Sequence, residues 1–189
     1  MSSSKKIDKK KTPKVVVKKV AARAETTVTA VKNKSASGTQ YWLMKTEPDV
    51  FSIDDLIKKN TTLWEGVRNY QARNLLRDMQ TGDAVLFYHS STDPSGVAGI
   101  AVVCKTAVAD PTQFDKKSEY YDAKATKEKP IWFCPEVKFV TKFNNFISLN
   151  DLKNDKNLTS MLVIRKGQRL SVQPITPEEF EHIHQLGIQ

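Results

Sequence analysis

The sequence predicts one α+β domain over residues 41–189, preceded by a disordered lysine-rich tail over residues 1–40. Short strand-like runs alternate with short capped amphipathic stretches and no segment repeats, which suits an α+β fold around a compact sheet or barrel. Charge marks the boundary. The first 40 residues carry eleven of the 30 Lys and Arg and two of the 21 Asp and Glu, so residues 41–189 hold 19 of each and the tail accounts for the net charge of +9. About 150 residues bury roughly 70% of their unfolded surface, enough for a core without disulfides.

The tail lacks the aromatic and branched clusters that offset ordering entropy, apart from Val15, Val16 and Val17. Lys5, Lys6, Lys9, Lys10, Lys11 and Lys14 form a cluster of the nuclear-import type, which also attracts any polyanion. Nuclear localisation is therefore expected. The acidic Asp8 argues against a mitochondrial transit peptide.

Within the domain, residues 41–45 read as the first strand, and the chain turns at Pro48. Ser52 caps a short helix through Lys59, with Asp54 and Asp55 in its first turn. Asn69 caps a second helix, on which Ala72, Leu75, Leu76 and Met79 form a buried stripe while Asn69, Arg73 and Arg77 share a polar face. Gly82 is the expected C′ residue of that helix. Strands are expected at 83–89, 97–103 and 131–140, the last with an edge or bulge at Pro135 because proline cannot donate to a ladder. Ser148 caps a helix over 149–155, and two strands, 161–165 and 170–173, come next. Thr176, Pro177 and Glu179 supply cap, N1 proline and N3 glutamate for the last helix, with Phe180 and Ile183 facing inward. Residues 110–130 form a long loop, of the length that tends to be functional, and its aromatic residues suit a flap beside a pocket.

The only cysteines, Cys104 and Cys134, lie in apolar runs and read as buried free thiols of a reducing compartment. The apolar stretch 97–104 is far short of the ~18 residues that span a bilayer, so no membrane partner is expected. There is no phosphate-binding loop, nucleophile elbow or dinucleotide fingerprint. His182 and His184, two apart on a helix, point to opposite sides and cannot share a metal. Neither a metal nor any cofactor is expected.

The most informative run is Trp64-Glu65-Gly66-Val67-Arg68-Asn69-Tyr70-Gln71-Ala72-Arg73-Asn74, a large aromatic beside a turn and a polar helix start. With Tyr41-Trp42-Leu43-Met44-Lys45-Thr46-Glu47-Pro48, Leu86-Phe87-Tyr88-His89-Ser90, Asp110-Pro111-Thr112-Gln113-Phe114-Asp115 and Gln168-Arg169-Leu170-Ser171-Val172-Gln173-Pro174, it resembles the EVE domain of the PUA-like superfamily. Within that family the chain resembles the thymocyte nuclear protein group. Thr46 stands where the family commonly has Ser, and Ser91 where it commonly has Asn.

The resemblance implies a PUA-like mixed β-barrel with short flanking helices and recognition of modified nucleobases, with modified cytosine in DNA the usual candidate. It places Lys45, Thr46, Glu47, Pro48, Tyr88, His89 and Ser90 in a base pocket with Trp64, Gly66, Val67, Arg68, Asn69 and Tyr70. Gln113, Ser171 and Gln173 are expected at its rim. A captured base needs a π surface, for which Trp64, Tyr70 and Tyr88 are candidates, and edge donors and acceptors, for which Glu47, Asn69, His89 and Ser90 are candidates. Lys45 and Arg68 suit a flanking phosphate. Trp64 also suits the core, since most tryptophans are structural.

The expected activity is non-enzymatic capture of a modified base, with nucleic acid as partner and a monomeric protein. A reader of modified RNA is the alternative within binding proteins. An enzyme using His89 or Glu47 as general base is the alternative from another class.

Overall fold

The computed structural model describes residues 38–189. The tail lysines from Lys5 to Lys14, and the disorder expected of the tail, lie outside the described residues. Gln40, just before the first strand, is buried and its N–H donates to Asp83 (3.0 Å).

Six strands form one sheet in the order β2-β5-β4-β3-β1-β6: β1 (Tyr41–Thr46), β2 (Thr61–Leu63), β3 (Ala84–His89), β4 (Gly96–Ala109), β5 (Phe133–Ser148) and β6 (Val172–Ile175). The pair β1–β3 is parallel and every other pair antiparallel. Among the described residues no ladder joins β2 to β6, so the sheet is open where the resemblance implied a closed barrel.

Helices α1 (Ile53–Lys59) and α2 (Tyr70–Asp78) cross from β1 to β3, while α3 (Leu149–Asn154) and α4 (Pro177–Ile188) come later in the chain. Strand alternation sends Trp42, Met44, Val85 and Phe87 to one apolar cluster with Leu56, Trp64 and Leu76. Leu43, Leu86 and Tyr88 join the other cluster with Leu152, Phe180 and Ile183. Because both faces are covered, the central strands read as continuous apolar runs.

Helix starts match the sequence expectations: Ser52, Ser148 and Thr176 each close a capping box, and the Asn69 side chain accepts the Ala72 N–H (3.0 Å). The second helix ends at Asp78 rather than near Gly82. Gly82 instead takes φ 95° in a turn whose Asp83 N–H bonds Gln80 O. Strand β2 had no sequence signal in its short threonine-containing run. Strands β4 and β5 extend well past their expected ends through a ladder with several register shifts. Pro135 falls at one of these, opposite the shift between Lys105 and Val108, so it marks a bulge, and its carbonyl accepts the Trp64 N–H (2.9 Å).

The expected strand at 161–165 is a 3-10 turn, Leu162–Ile164, since a short buried apolar run does not by itself fix a strand. The strand expected at 170–173 is displaced to β6. Cys134 is buried as expected, but Cys104 is partly exposed.

Asp83 sets the start of the parallel pair. Its buried carboxylate accepts the Gln40 N–H, the Trp42 indole N–H (3.0 Å) and the Gln80 N–H (2.8 Å), tying the beginnings of β1 and β3 together. Asp83→Ala leaves these donors unmatched, at about 1–3 kcal/mol for each buried one. Two of the three, from Gln40 and Trp42, are buried, so urea unfolding should show a loss of at least about 2 kcal/mol.

Candidate functional site

Parallel pairing brings the ends of β1 and β3 to the same edge, with Lys45 opposite Tyr88 and Thr46 opposite His89. The segments beyond these ends are cross-bonded: Thr46 O accepts the Ser90 N–H (2.7 Å) and hydroxyl (3.2 Å), and the Ser91 hydroxyl donates to Glu47 Oε1 (2.9 Å). Ser91 takes φ 57° to make this approach. The sheet itself therefore joins two segments that are over 40 residues apart in sequence.

His89 lies at the N-terminus of α1. Its Nε2 accepts the Ile53 N–H (3.1 Å), so the neutral ring carries its proton on Nδ1. Burial lowers its pKa, Asp54 opposes that shift and Lys142 adds to it. The ring stands edge-on to Phe87 (5.6 Å) and 6.3 Å from Phe146, a partly exposed aromatic that sequence reasoning did not single out. Thr46 and His89 point to the α1 side of the sheet. Lys45 and Tyr88 point to the other side, where the Lys45 ammonium lies 5.8 Å from the Tyr88 ring centre and the Tyr88 hydroxyl donates to Ser95 (3.2 Å). Burial lowers the Lys45 pKa. Pro48 lies in the turn after β1 and is partly buried.

The run from Trp64 to Tyr70 is held by the loop over 110–130. Trp64 is 7% exposed and stands edge-on to Phe87 (5.5 Å), within the core. After it the chain turns at Gly66 (φ 83°), where a Cβ would come 2.9 Å from the Tyr120 ring. Asp110 Oδ2 accepts both the Gly66 N–H (2.9 Å) and Arg68 Nη1–H (2.8 Å), and Asp110 Oδ1 accepts the Thr112 N–H (2.8 Å). Arg68 spends its other donors on Tyr120 O (2.8 Å), Thr112 Oγ1 (2.8 Å) and Val67 O (3.0 Å). Four of the five guanidinium donors of Arg68 are thus used within the protein, and neighbouring Val67 packs against the core.

Burial alone would raise the Asp110 pKa, but hydrogen bonds from Arg68, Thr112 and Gly66 outweigh it and hold the carboxyl below the usual range. Gln113 is fully buried and acts as a staple, donating to Asp110 O (2.8 Å) and Trp132 O (2.9 Å) while accepting the Ile131 and Trp132 N–H groups. Tyr70 is 58% exposed, and its ring lies 4.8 Å from Trp132.

Ser171 lies beside β1, its carbonyl accepting the Lys45 N–H (2.8 Å). Gln173 is buried opposite Leu43 and donates to Leu170 O (2.9 Å), while its Oε1 has no protein partner. The structure thus gathers Lys45 to Pro48 with His89, Ser90 and Ser91 at one sheet edge. Asn69 and Tyr70 begin a separate exposed helix face. Asp110, Tyr120 and Trp132 were missed as organising residues, although Asp110 before Pro111 and Thr112 carries the local signal of an aspartate-capped turn.

An EVE domain model matches residues 40–186. The chain belongs to the EVE domain family. This EVE domain protein is 41% identical to chicken thymocyte nuclear protein 1 over 161 residues, covering 76% of this chain and 66% of that protein. It is 40% identical to the human protein over 173 residues, covering 82% and 76%. The chain thus spans between 66% and 76% of the length of these two relatives. A crystal structure of human THYN1 in complex with 5-methylcytosine-containing DNA matches at a TM-score of 0.73 and 41% identity, covering 79% of this chain and 98% of that one.

In this EVE domain the signature run and the 110–115 segment are one physical unit, joined through Asp110. Asp110→Ala strips Arg68, whose side chain is 20% exposed, of its ion-pair partner and leaves the Gly66 and Thr112 N–H groups unmatched, and should destabilise the fold by about 1–3 kcal/mol. The carboxyl pKa is depressed on folding, so its contribution is complete above the unfolded value of about 3.9 and disappears as pH falls through the lower folded value. The stability difference between wild type and Asp110→Asn, measured by urea unfolding, should accordingly shrink below about pH 4.

Proposed function

We propose that this EVE domain is a non-enzymatic reader of modified bases in DNA, with 5-methylcytosine the first candidate. The observation that carries this reading is the human THYN1 complex with 5-methylcytosine-containing DNA, whose chain matches almost all of this domain at 41% identity. The β1 and β3 ends supply suitable chemistry for a base edge. A neutral His89 offers Nδ1–H to a ring acceptor, Glu47 offers a carboxylate to an exocyclic amine, and Ser90 and Ser91 add hydroxyls. Partly exposed Phe146 beside His89 offers an aromatic surface, whereas the burial of Trp64 favours a supporting role for that ring.

The lysine-rich tail supplies nuclear import and non-specific attraction through counterion release, while the pocket supplies selectivity. Removing residues 1–37, which leaves the buried Gln40 in place, should weaken binding to methylated and plain duplexes alike, reduce its salt dependence and abolish nuclear enrichment of a tagged chain. The ratio of the two affinities should stay unchanged.

Fluorescence anisotropy with matched 5-methylcytosine and plain duplexes tests the reading. Wild type should prefer the methylated duplex, and His89→Ala should bring the ratio close to one. A melting curve checks that the loss of the Ile53 bond, worth about 1 kcal/mol, leaves the domain folded. Equal binding by wild type to matched modified and plain oligonucleotides, in DNA and RNA, would remove the reader function. Preference confined to RNA would replace DNA as the partner, and product released from the modified strand would make the protein an enzyme.

A further inference from the structure

The exposed face of α2 carries arginines that the fold does not neutralise. Tyr70, Arg73, Asn74 and Arg77 recur at the three- and four-residue spacing of one helix face. The Arg73 guanidinium lies 4.8 Å from the Tyr70 ring centre and 5.9 Å from that of Trp132. The Arg77 guanidinium lies 4.8 Å from the Phe133 ring centre. Neither arginine forms an ion pair among the described residues.

Arg73 is partly engaged, with Asn74 Oδ1 (2.8 Å) and Ile131 O (3.2 Å), while Arg77 is exposed beside a shallow cleft of about 470 Å³ that it lines with Asn74 and Asp78. A last-turn arginine also complements the helix dipole, but that role requires only a charge and not an aromatic seat. Seating a guanidinium on a ring restricts its rotamers before any partner arrives, so less entropy is lost on binding.

We propose that Arg73 and Arg77 form a pre-set phosphate-binding ledge that grips the DNA backbone beside the captured base. The inference rests on the DNA-reading function proposed above and adds a second contact surface to it. Charge complementarity argues for this occupant: two arginines with no ion-pair partner among the described residues, their backbone positions about 6 Å apart along the helix axis, lie at the surface, Arg73 partly exposed and Arg77 exposed. The ledge begins at Tyr70, in the second half of the signature run, so it is continuous in sequence with the turn at Gly66 and Arg68 held by Asp110. Phosphate contacts of this kind position the duplex without reading its sequence. Arg73 and Arg77, five and nine residues beyond Arg68, add to the phosphate contact that sequence reasoning expected of Arg68.

The test is a salt titration of full-length protein on methylated and plain duplex DNA, read by anisotropy. Arg77→Gln should reduce the slope of log K against log salt by about 0.9, and the Arg73→Gln/Arg77→Gln pair by about 1.8. The preference for the methylated duplex should be unchanged in both. Lys153→Gln, an exposed charge on α3 over the opposite sheet face, should leave the slope intact. An unchanged slope in the arginine variants overturns the ledge, as does an equal fall with Lys153→Gln, which would reduce the effect to net charge. His89→Ala should lose the preference while keeping the slope, so failure of the pocket and failure of the ledge give different results. A wild-type chain that binds neither duplex overturns both.

Discussion

The parallel pairing of β1 with β3 is the constraint on which the rest of the molecule depends. Two parallel neighbours need a crossover, and here residues 47–83 supply it, carrying α1 and α2 over one face of the sheet and adding β2 at its far edge. The signature run lies inside that crossover. Both strand ends are therefore set at one edge while the run is drawn across the adjoining face. Asp83 fixes the start of the arrangement by accepting three donors, and the Ser90 and Ser91 bonds to Thr46 and Glu47 fix its end. A slip of one residue would exchange the two faces of β1, sending Trp42 and Met44 to the side now occupied by Leu43. With both faces buried, that exchange would disrupt two apolar clusters at once.

The second constraint is electrostatic. Asp110 and Arg68 form a buried ion pair, and burying such a pair seldom adds net stability compared with an apolar alternative. It can nevertheless specify one arrangement. Gly66, Arg68 and Thr112 must all reach the same carboxylate, so the turn after Trp64 and the start of the 110–130 loop have one mutual position. Gln113 extends this control to Trp132, and Tyr120 closes over the Gly66 turn, where any side chain would collide with its ring. The long loop is thus a docked element of the domain, and its hydrogen bonds explain how a segment with little regular structure keeps its place.

Local chemistry was legible in the sequence, while the distant partners of that chemistry were not. Ser52, Asn69, Ser148 and Thr176 announce helix starts because a cap bonds a backbone N–H within three residues. Strand length depends on a partner elsewhere, so β4 and β5 outran their apolar cores and β2 gave no signal. The same limit applies at the site. Trp64 beside a turn reads equally as a stacking surface or a core residue, and only the approach of Phe87 separates the two. Arg68 reads as a free cation until the loop over 110–130 is seen to occupy its donors. The family segments named stretches of chain, whereas single residues acquired their surroundings from contacts that span from 23 residues, between Trp64 and Phe87, to 42, between Arg68 and Asp110.

Charge shows the same limit in a form with functional consequences. A domain with equal numbers of acidic and basic residues has no net attraction for DNA, yet neutrality over a whole sequence does not require neutrality at each surface. Lys142 lies against Asp54, Lys105 against Glu136 and Arg68 against Asp110. Arg73 and Arg77 rest on aromatic rings instead. An aromatic face steadies a guanidinium without cancelling its charge. The two arginines lie on α2, in and just beyond the signature run, while the more numerous tail charges are separate from it in sequence. Long-range attraction and local positioning can thus reside in different parts of the chain, and the salt dependence of binding can be divided between them.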